Sequence, residues 1–249
     1  MSESVLEVRG LAKSFGGVQA VAGVNLSMPR GEIRALIGPN GAGKTTFFNM
    51  LTGQLRADRG EVRFKGERLS GLAPHTVWRR GVSRTFQITA TFVTLTAVEN
   101  VQVALQSHRR RTYALFAKAD GLERDAARAL LEQVGLAAQA ERPAGVLAYG
   151  DLKKLELAVA LANRPEVLLL DEPTAGMAPA ERGALMALTQ RIARERSLTV
   201  LFTEHDMDVV FSVADRIMVL HQGRVIAEGR PDEVRADAQV QKVYLGEAE

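Results

Sequence analysis

No cysteine occurs anywhere in this chain, which excludes disulfide cross-links, thiolate zinc sites and iron–sulfur clusters. Together with the lack of a recognisable secretory leader, this points to a reducing, cytosolic compartment. Long apolar runs are lacking too. Val167 to Leu170 ends at once in Asp171, far short of the roughly 18–20 apolar residues that a membrane-spanning helix needs, so any membrane association is expected to be peripheral. Charge of one sign is also scarce: 32 Lys and Arg against 29 Asp and Glu leave a net of +3, too small an excess to specify a nucleic-acid partner. The one local cluster, His108-Arg109-Arg110-Arg111, reads first as a solvated face, with lipid phosphates or a protein partner as the alternatives. Internal repeats and low-complexity linkers are missing as well.

What is present is an ordinary globular composition, 249 residues of which 46% are hydrophobic, enough to bury the core of one domain or of a domain plus a subdomain. Val5 to Arg9, Ala20 to Met28 and Glu61 to Phe64 have alternating or β-branched character and are separated by turns such as Phe15-Gly16-Gly17, which predicts an antiparallel β-layer at the N-terminal end. From Thr96 to Asn163 the sequence turns to long Ala- and Leu-rich segments of helical character. Val167 to Leu170 and Leu198 to Thr203 are then continuous apolar runs flanking the helical stretch Ala180 to Arg194, the pattern of parallel strands joined by a crossover helix. An α/β core interrupted by a helical insertion follows. Val240, Val243 and Tyr244 recur at helical spacing near the C-terminal end, predicting a short amphipathic helix that packs on the body of the protein or docks a partner.

The most specific pattern is Gly38-Pro39-Asn40-Gly41-Ala42-Gly43-Lys44-Thr45, which matches G-x-x-x-x-G-K-[ST] at every fixed position. Small residues let the backbone curl so that successive N–H groups point inward, and the helix that follows adds the positive end of its dipole. A nucleoside triphosphate is the ligand this fits, with Lys44 against the β- and γ-phosphates and Thr45 supplying a hydroxyl to Mg²⁺. The context agrees on both sides. Glu32 to Ile37 reads as a buried strand, and Thr46 to Leu51 opens a helix with Phe47, Met50 and Leu51 on one face.

The run Val167-Leu168-Leu169-Leu170 ends in two carboxylates, Asp171 and Glu172. Alone it is a strand end meeting solvent; behind a phosphate loop and before Pro173-Thr174 it reads as a site. The strand beside a phosphate loop presents its first Asp to Mg²⁺, which assigns Asp171 to the metal side. Glu172, one residue nearer the γ-phosphate, is placed to take a proton from the attacking water, a role worth about 10² to 10⁴ in rate.

With these motifs in this order, the chain resembles the ATP-binding subunits of ABC transporters over essentially its whole length. The resemblance implies an α/β fold, a P-loop ABC ATPase with a RecA-like core (about 1–88 and 164–249), an N-terminal antiparallel β-layer and an inserted α-helical subdomain (about 89–163), all one ABC ATPase domain. It implies that Phe15 stacks on adenine, that Thr46 joins Gly38 to Thr45 in holding ATP, and that Gln87 is the Q-loop residue reaching Mg²⁺ and the nucleophilic water. Leu147-Ala148-Tyr149-Gly150-Asp151 falls at the signature position, Ala175 to Pro179 at the D-loop, and His205 at the switch histidine that meets the γ-phosphate.

The resemblance further implies two such subunits, identical or paralogous, sandwiching two ATP molecules between one subunit's phosphate loop and the other's signature. Two membrane permeases, and indirectly a periplasmic or extracellular solute-binding protein, would be the partners at the cytoplasmic face of the inner membrane.

The signature departs from the common L-S-G-G-Q. Ala148 lacks the serine hydroxyl that would bond a γ-phosphate, leaving the N–H groups of Tyr149 and Gly150 and the helix N-terminus as donors. Asp151 suits a helix N-terminus but repels phosphate, so its carboxylate is expected to cap or point away; beyond it Leu152, Leu155, Val159 and Ala162 form an apolar face while Lys153 and Lys154 stay on the polar one. Arg84-Thr85-Phe86-Gln87, Leu155-Glu156-Leu157-Ala158, Glu204-His205-Asp206-Met207 and Tyr244-Leu245-Gly246-Glu247 are similar to the ATPases of branched-chain amino acid importers. Urea or amide importers and lipopolysaccharide exporters share much of this pattern. The interval between Lys44 and Asp171 leaves no room for the long coiled coil of DNA-repair relatives, whereas a regulatory nucleotide-binding module remains the alternative from another class.

Overall fold

A computed structural model describes residues 4–85, 91–108 and 123–245. Two long strands, β1 (Ser4–Phe15) and β2 (Val18–Pro29), form an antiparallel hairpin to which β4 (Arg59–Phe64) and the short β5 (Glu67–Arg68) add, in the order β2-β1-β4-β5. Both hairpin strands run further than their β-branched cores predict, and register shifts in β1 near Val8 to Ala12 absorb the extra length. The second sheet contains β3 (Ile33–Ile37), β6 (Val82–Thr85), β7 (Val167–Asp171), β8 (Thr199–Thr203), β9 (Arg216–His221) and β10 (Arg224–Gly229), in the order β10-β9-β3-β8-β7-β6. Only the edge strand β10 is antiparallel. Every residue of β3, β7 and β8 is buried, as a parallel sheet covered on both faces requires.

Successive residues of those strands face opposite ways, and the core divides accordingly. Leu36, Val167, Leu169, Leu201, Met218 and Leu220 pack toward the antiparallel sheet and α1 (Lys44–Leu51), whose Phe47, Phe48, Met50 and Leu51 fill the space between the sheets. Ile33, Ala35, Ile37, Leu168, Leu170, Val200 and Phe202 face a layer of helices. After α2 (Pro74–Arg79), that layer comprises α3 (Ala97–His108), α4 (Arg124–Gln133) and α5 (Tyr149–Leu161), all between β6 and β7 in sequence, and then α6 (Pro179–Arg196) and α7 (Met207–Val213). The chain closes with α8 (Pro231–Ala236) and α9 (Ala238–Leu245), where Val240 is buried and Tyr244 exposed.

One departure from the sequence expectations has a clear cause. Helix α5 begins at Tyr149, before Asp151, and Lys153 is buried rather than on a polar face. Its ammonium is held by Glu156 at 3.2 Å and lies 5.4 Å from the Tyr149 ring centroid, so a local ion pair and a ring make its burial tolerable. The β9–β10 hairpin turns on Gln222-Gly223, both with positive φ (47° and 76°), a geometry that suits the twist of the strands.

Glycine in the phosphate loop meets a requirement of the protein itself as well as any ligand's. A Cβ on Gly38 would lie 2.0 Å from the Leu220 carbonyl oxygen, and one on Gly43 2.1 Å from that of Ala20, with φ at +104°. The loop is thus clamped between β9 and β2. Gly41, by contrast, has φ +79° and open space around it. Gly43→Ala is expected to lower stability by about 2 kcal/mol or more, from backbone strain plus overpacking, whereas Gly41→Ala loses only the strain contribution. Equal melting temperatures for the two variants would contradict this.

Candidate functional site

The parallel strands of the second sheet end at one edge. Register sets Leu169 beside Leu201 and Asp171 beside Thr203 in β7 and β8, while β3 runs in step with β8 and β9. The segments beyond these ends therefore converge in the crevice where open α/β sheets bind ligands. Residues 38–43 bridge β3 and α1. Lys44 is buried, and its Nζ donates to the loop's own Gly38 and Pro39 carbonyls at 2.5 and 3.1 Å. Burial pushes its pKa below the ordinary lysine value, while Glu172 and Asp171 act the other way. Both carboxylates are thus close enough for their fields to reach the ammonium. Thr45 is exposed and Thr46 half-buried at the start of α1.

Asp171 and Glu172 are held by one hydroxyl. Thr203 Oγ1 donates to Asp171 Oδ1 at 2.9 Å and accepts from the Glu172 N–H at 3.0 Å, while the Thr203 carbonyl accepts from the same N–H at 3.2 Å. The double restraint keeps Glu172 at φ 48°, a left-handed conformation unusual for a side-chain-bearing residue, which turns its carboxylate out of the strand. There Oε1 accepts from His205 Nε2 at 2.8 Å. His205 is half exposed and follows β8, as Glu172 follows β7.

Four further residues shape the site without having been anticipated from sequence. Arg84, on β6, donates to Asp171 Oδ2 at 2.6 Å and to Asn49 and Gln54 at 2.6 and 2.9 Å, with both members of the Arg84–Asp171 pair buried. Arg84 lies in the mostly polar run Val82-Ser83-Arg84-Thr85, which carries no local signal for the pairing. Glu204 is buried and accepts from the Thr174 N–H and hydroxyl at 2.9 and 2.7 Å and from the His205 N–H at 3.3 Å. Arg182 joins the Met177 carbonyl (2.9 Å) to Asp206 (3.1 Å). Asp206 caps α7, and the Val209 N–H, with Arg182 behind it, holds its carboxyl below the usual aspartate range against the opposing effect of burial.

The signature candidates lie at the start of α5. Ala148 is the N-cap and has no side chain to cap with, Gly150 lies in the first turn, and Asp151 points to Lys154 at 2.9 Å. Tyr149 is exposed, yet its hydroxyl donates to the Ala175 carbonyl at 2.9 Å. Phe15 is 48% exposed at the end of β1, with Lys13 Nζ over its ring at 5.5 Å from the centroid. Gln87 and Arg109 to Arg111 lie outside the described residues.

A clamped glycine loop, a strand-end carboxylate pair and a histidine at the next strand end define a nucleotide-binding cassette, and the comparisons give it a family. A model described as ABC transporter matches residues 21–175, and the chain is 44% identical, over the full length of both, to the high-affinity branched-chain amino acid transport ATP-binding protein BraF of Pseudomonas aeruginosa. The chain belongs to the ABC transporter ATP-binding family. Within it, residues 224–249 match the model for branched-chain amino acid ATP-binding cassette transporters, and LivG of Escherichia coli, a high-affinity branched-chain amino acid transport ATP-binding protein, is 41% identical over 100% of both chains.

Among solved structures, a nucleotide-free ATP-binding cassette from an ABC transporter superposes with a TM-score of 0.85 at 30% identity, covering 97% of this chain and 98% of that one. The ADP conformation of MJ1267, an ATP-binding cassette of an ABC transporter, gives 0.86 at 28%, covering 98% and 99%.

Removing one partner of a buried ion pair is costly, about 3–5 kcal/mol. Arg84→Met is expected to destabilise by that order in urea unfolding, and Asp171→Asn in the same background to add much less than it does alone. Additive effects in the double-mutant cycle would separate the two residues energetically.

Proposed function

We propose that this chain binds ATP with Mg²⁺ and hydrolyses it to drive import of branched-chain or other hydrophobic amino acids. The observation that carries the reading is the 2.8 Å contact between His205 and Glu172 beside the clamped phosphate loop. On ATP binding, Lys44 exchanges the Gly38 and Pro39 carbonyls for the β- and γ-phosphates, whose charge suits the N-terminal N–H groups of α1. The exposed Phe15 ring is available to stack on adenine. Glu172, aimed by Thr203, accepts a proton from the water that attacks the γ-phosphorus, and His205 turns from Glu172 to the γ-phosphate. The ADP–phosphate bond breaks as the water oxygen bonds to phosphorus.

Thr45 and Asp171 are all-oxygen donors, the set a small hard cation prefers, and so fit Mg²⁺, which would neutralise charge on the β- and γ-oxygens. Gln87 is proposed to join them. In this reading residues 89–163 act as a helical subdomain inserted into a core of 1–88 and 164–249. Each site is completed by the Ala148 to Asp151 signature of a second ATPase subunit, identical or paralogous. A dimeric cassette bound to ADP and phosphate, 25% identical with a TM-score of 0.77, supports such pairing.

Among the described residues no helix is long and apolar enough to cross a membrane. The chain is therefore proposed to sit peripherally, at the cytoplasmic face of the inner membrane, on two permease subunits supplied by a solute-binding protein. The BraF and LivG relatives favour amino acid cargo over urea, amides or lipopolysaccharide.

Glu172→Gln is expected to cut ATP turnover by about 10² to 10⁴ while ATP-bound dimers accumulate in size-exclusion chromatography. Unchanged hydrolysis would remove Glu172 from the role of base.

A further inference from the structure

The segment that follows Glu172 is tied down on two sides. On one side it is bound to the residues around His205: Glu204 holds Thr174 and the His205 N–H, and Arg182 holds the Met177 carbonyl and Asp206. On the other it meets the start of α5. The Tyr149 hydroxyl donates to the Ala175 carbonyl, and the ring covers Gly176, where a Cβ would sit 3.4 Å from its Cε1 and Oη. Gly150 faces the same region, its position for a Cβ lying 3.4 Å from Glu181 Oε1 and 3.7 Å from Met177 Cε. On the α5 side the buried Lys153 ammonium, paired with Glu156, lies 5.4 Å from the ring centroid.

We propose that Tyr149 is a positioning residue that links the signature segment of each subunit to the Glu172–His205 pair of the same subunit. This inference rests on the reading of the chain as half of an ATP-sandwich dimer. The signature touches the ATP held by the partner's phosphate loop. Its movement is carried by the Tyr149 hydroxyl to Ala175, by the short segment to Thr174 and Met177, and by Glu204 and Arg182 to residues 204–206. Occupancy of one site thereby sets the alignment of the base and histidine at the other. A tyrosine does what a glycine at this place cannot, since its hydroxyl reaches the Ala175 carbonyl across Gly176. Gly176 itself, at φ +80° under the ring, leaves the space that the ring needs.

The test uses the assembled transporter with its permeases. Tyr149→Phe keeps the ring and deletes the hydroxyl; Tyr149→Leu deletes both. The wild-type assembly is expected to hydrolyse ATP with a Hill coefficient above one. In Tyr149→Phe the coefficient falls toward one and kcat drops about three- to tenfold, the scale of one neutral hydrogen bond. ATP affinity of the isolated chain, measured with a fluorescent ATP analogue, and its melting temperature stay near wild type. Tyr149→Leu falls further in kcat with the same single-chain affinity. A purely structural role would lower the melting temperature and leave the Hill coefficient alone. A Tyr149→Phe assembly with wild-type kcat and cooperativity, or a wild-type Hill coefficient of one, would overturn the link while leaving the ATPase reading intact. A wild-type assembly that does not hydrolyse ATP would instead sink that reading, and the link with it.

Discussion

The site hangs on one hydroxyl at the end of β8. Thr203 is fully buried, and its Oγ1 lies between the carboxylate of Asp171 and the N–H of Glu172. That placement is a consequence of sheet register. Parallel pairing sets Asp171 opposite Thr203, and in a parallel ladder a slip of one residue would turn every side chain of the strand to the other face. The apolar residues of β7 and β8 divide between two different cores, one under the helices and one toward the antiparallel sheet, so a slip is resisted on both faces. Hydrophobic packing thus fixes the position of a polar contact to which it contributes no atom.

From that point the restraints spread outward. Glu172 is held in a left-handed conformation and its carboxylate meets His205; Asp171 is held from its other oxygen by Arg84. Arg84 reaches across to Asn49 on α1 and to Gln54, which joins the strand carrying the carboxylates to the helix that follows the phosphate loop. Lys44 waits on the carbonyls of its own loop. Lys44, Asp171, Glu172 and His205 are therefore each partnered within the protein, and in the proposed reading nucleotide binding replaces the partners of Lys44 and His205. Preorganised groups of this kind need little rearrangement at the moment of reaction.

Much of this was legible in the sequence because it depends on local chemistry or on periodicity. The phosphate loop is a contiguous pattern, β3, β7 and β8 are unbroken apolar runs, and α1 shows its buried face at helical spacing. The fold class and the places of Glu172 and His205 followed. What escaped was long-range pairing. Nothing in Arg84 or Glu204 announces that one will meet Asp171 and the other Thr174, since those contacts exist only once distant strands are aligned. The charge of Lys153 predicts exposure, whereas Glu156 and the Tyr149 ring give it a buried home. The β9–β10 hairpin turns on Gln222-Gly223, which lacks the Asn or Asp that marks such turns in a sequence. In the sequence the departure at Ala148 and Tyr149 is a lost hydroxyl; in the structure the tyrosine is also bonded to the segment after Glu172.

The central claim is that Thr203 aligns both carboxylates for catalysis, beyond any part it has in stability. Thr203→Val keeps the shape and removes the hydroxyl, leaving Asp171 Oδ1 without that donor, a cost of about 1–3 kcal/mol. Steady-state ATP hydrolysis should show kcat reduced by about tenfold or more while the chain stays folded at the assay temperature and retains ATP affinity. A folded Thr203→Val protein that turns over ATP at the wild-type kcat would contradict the account.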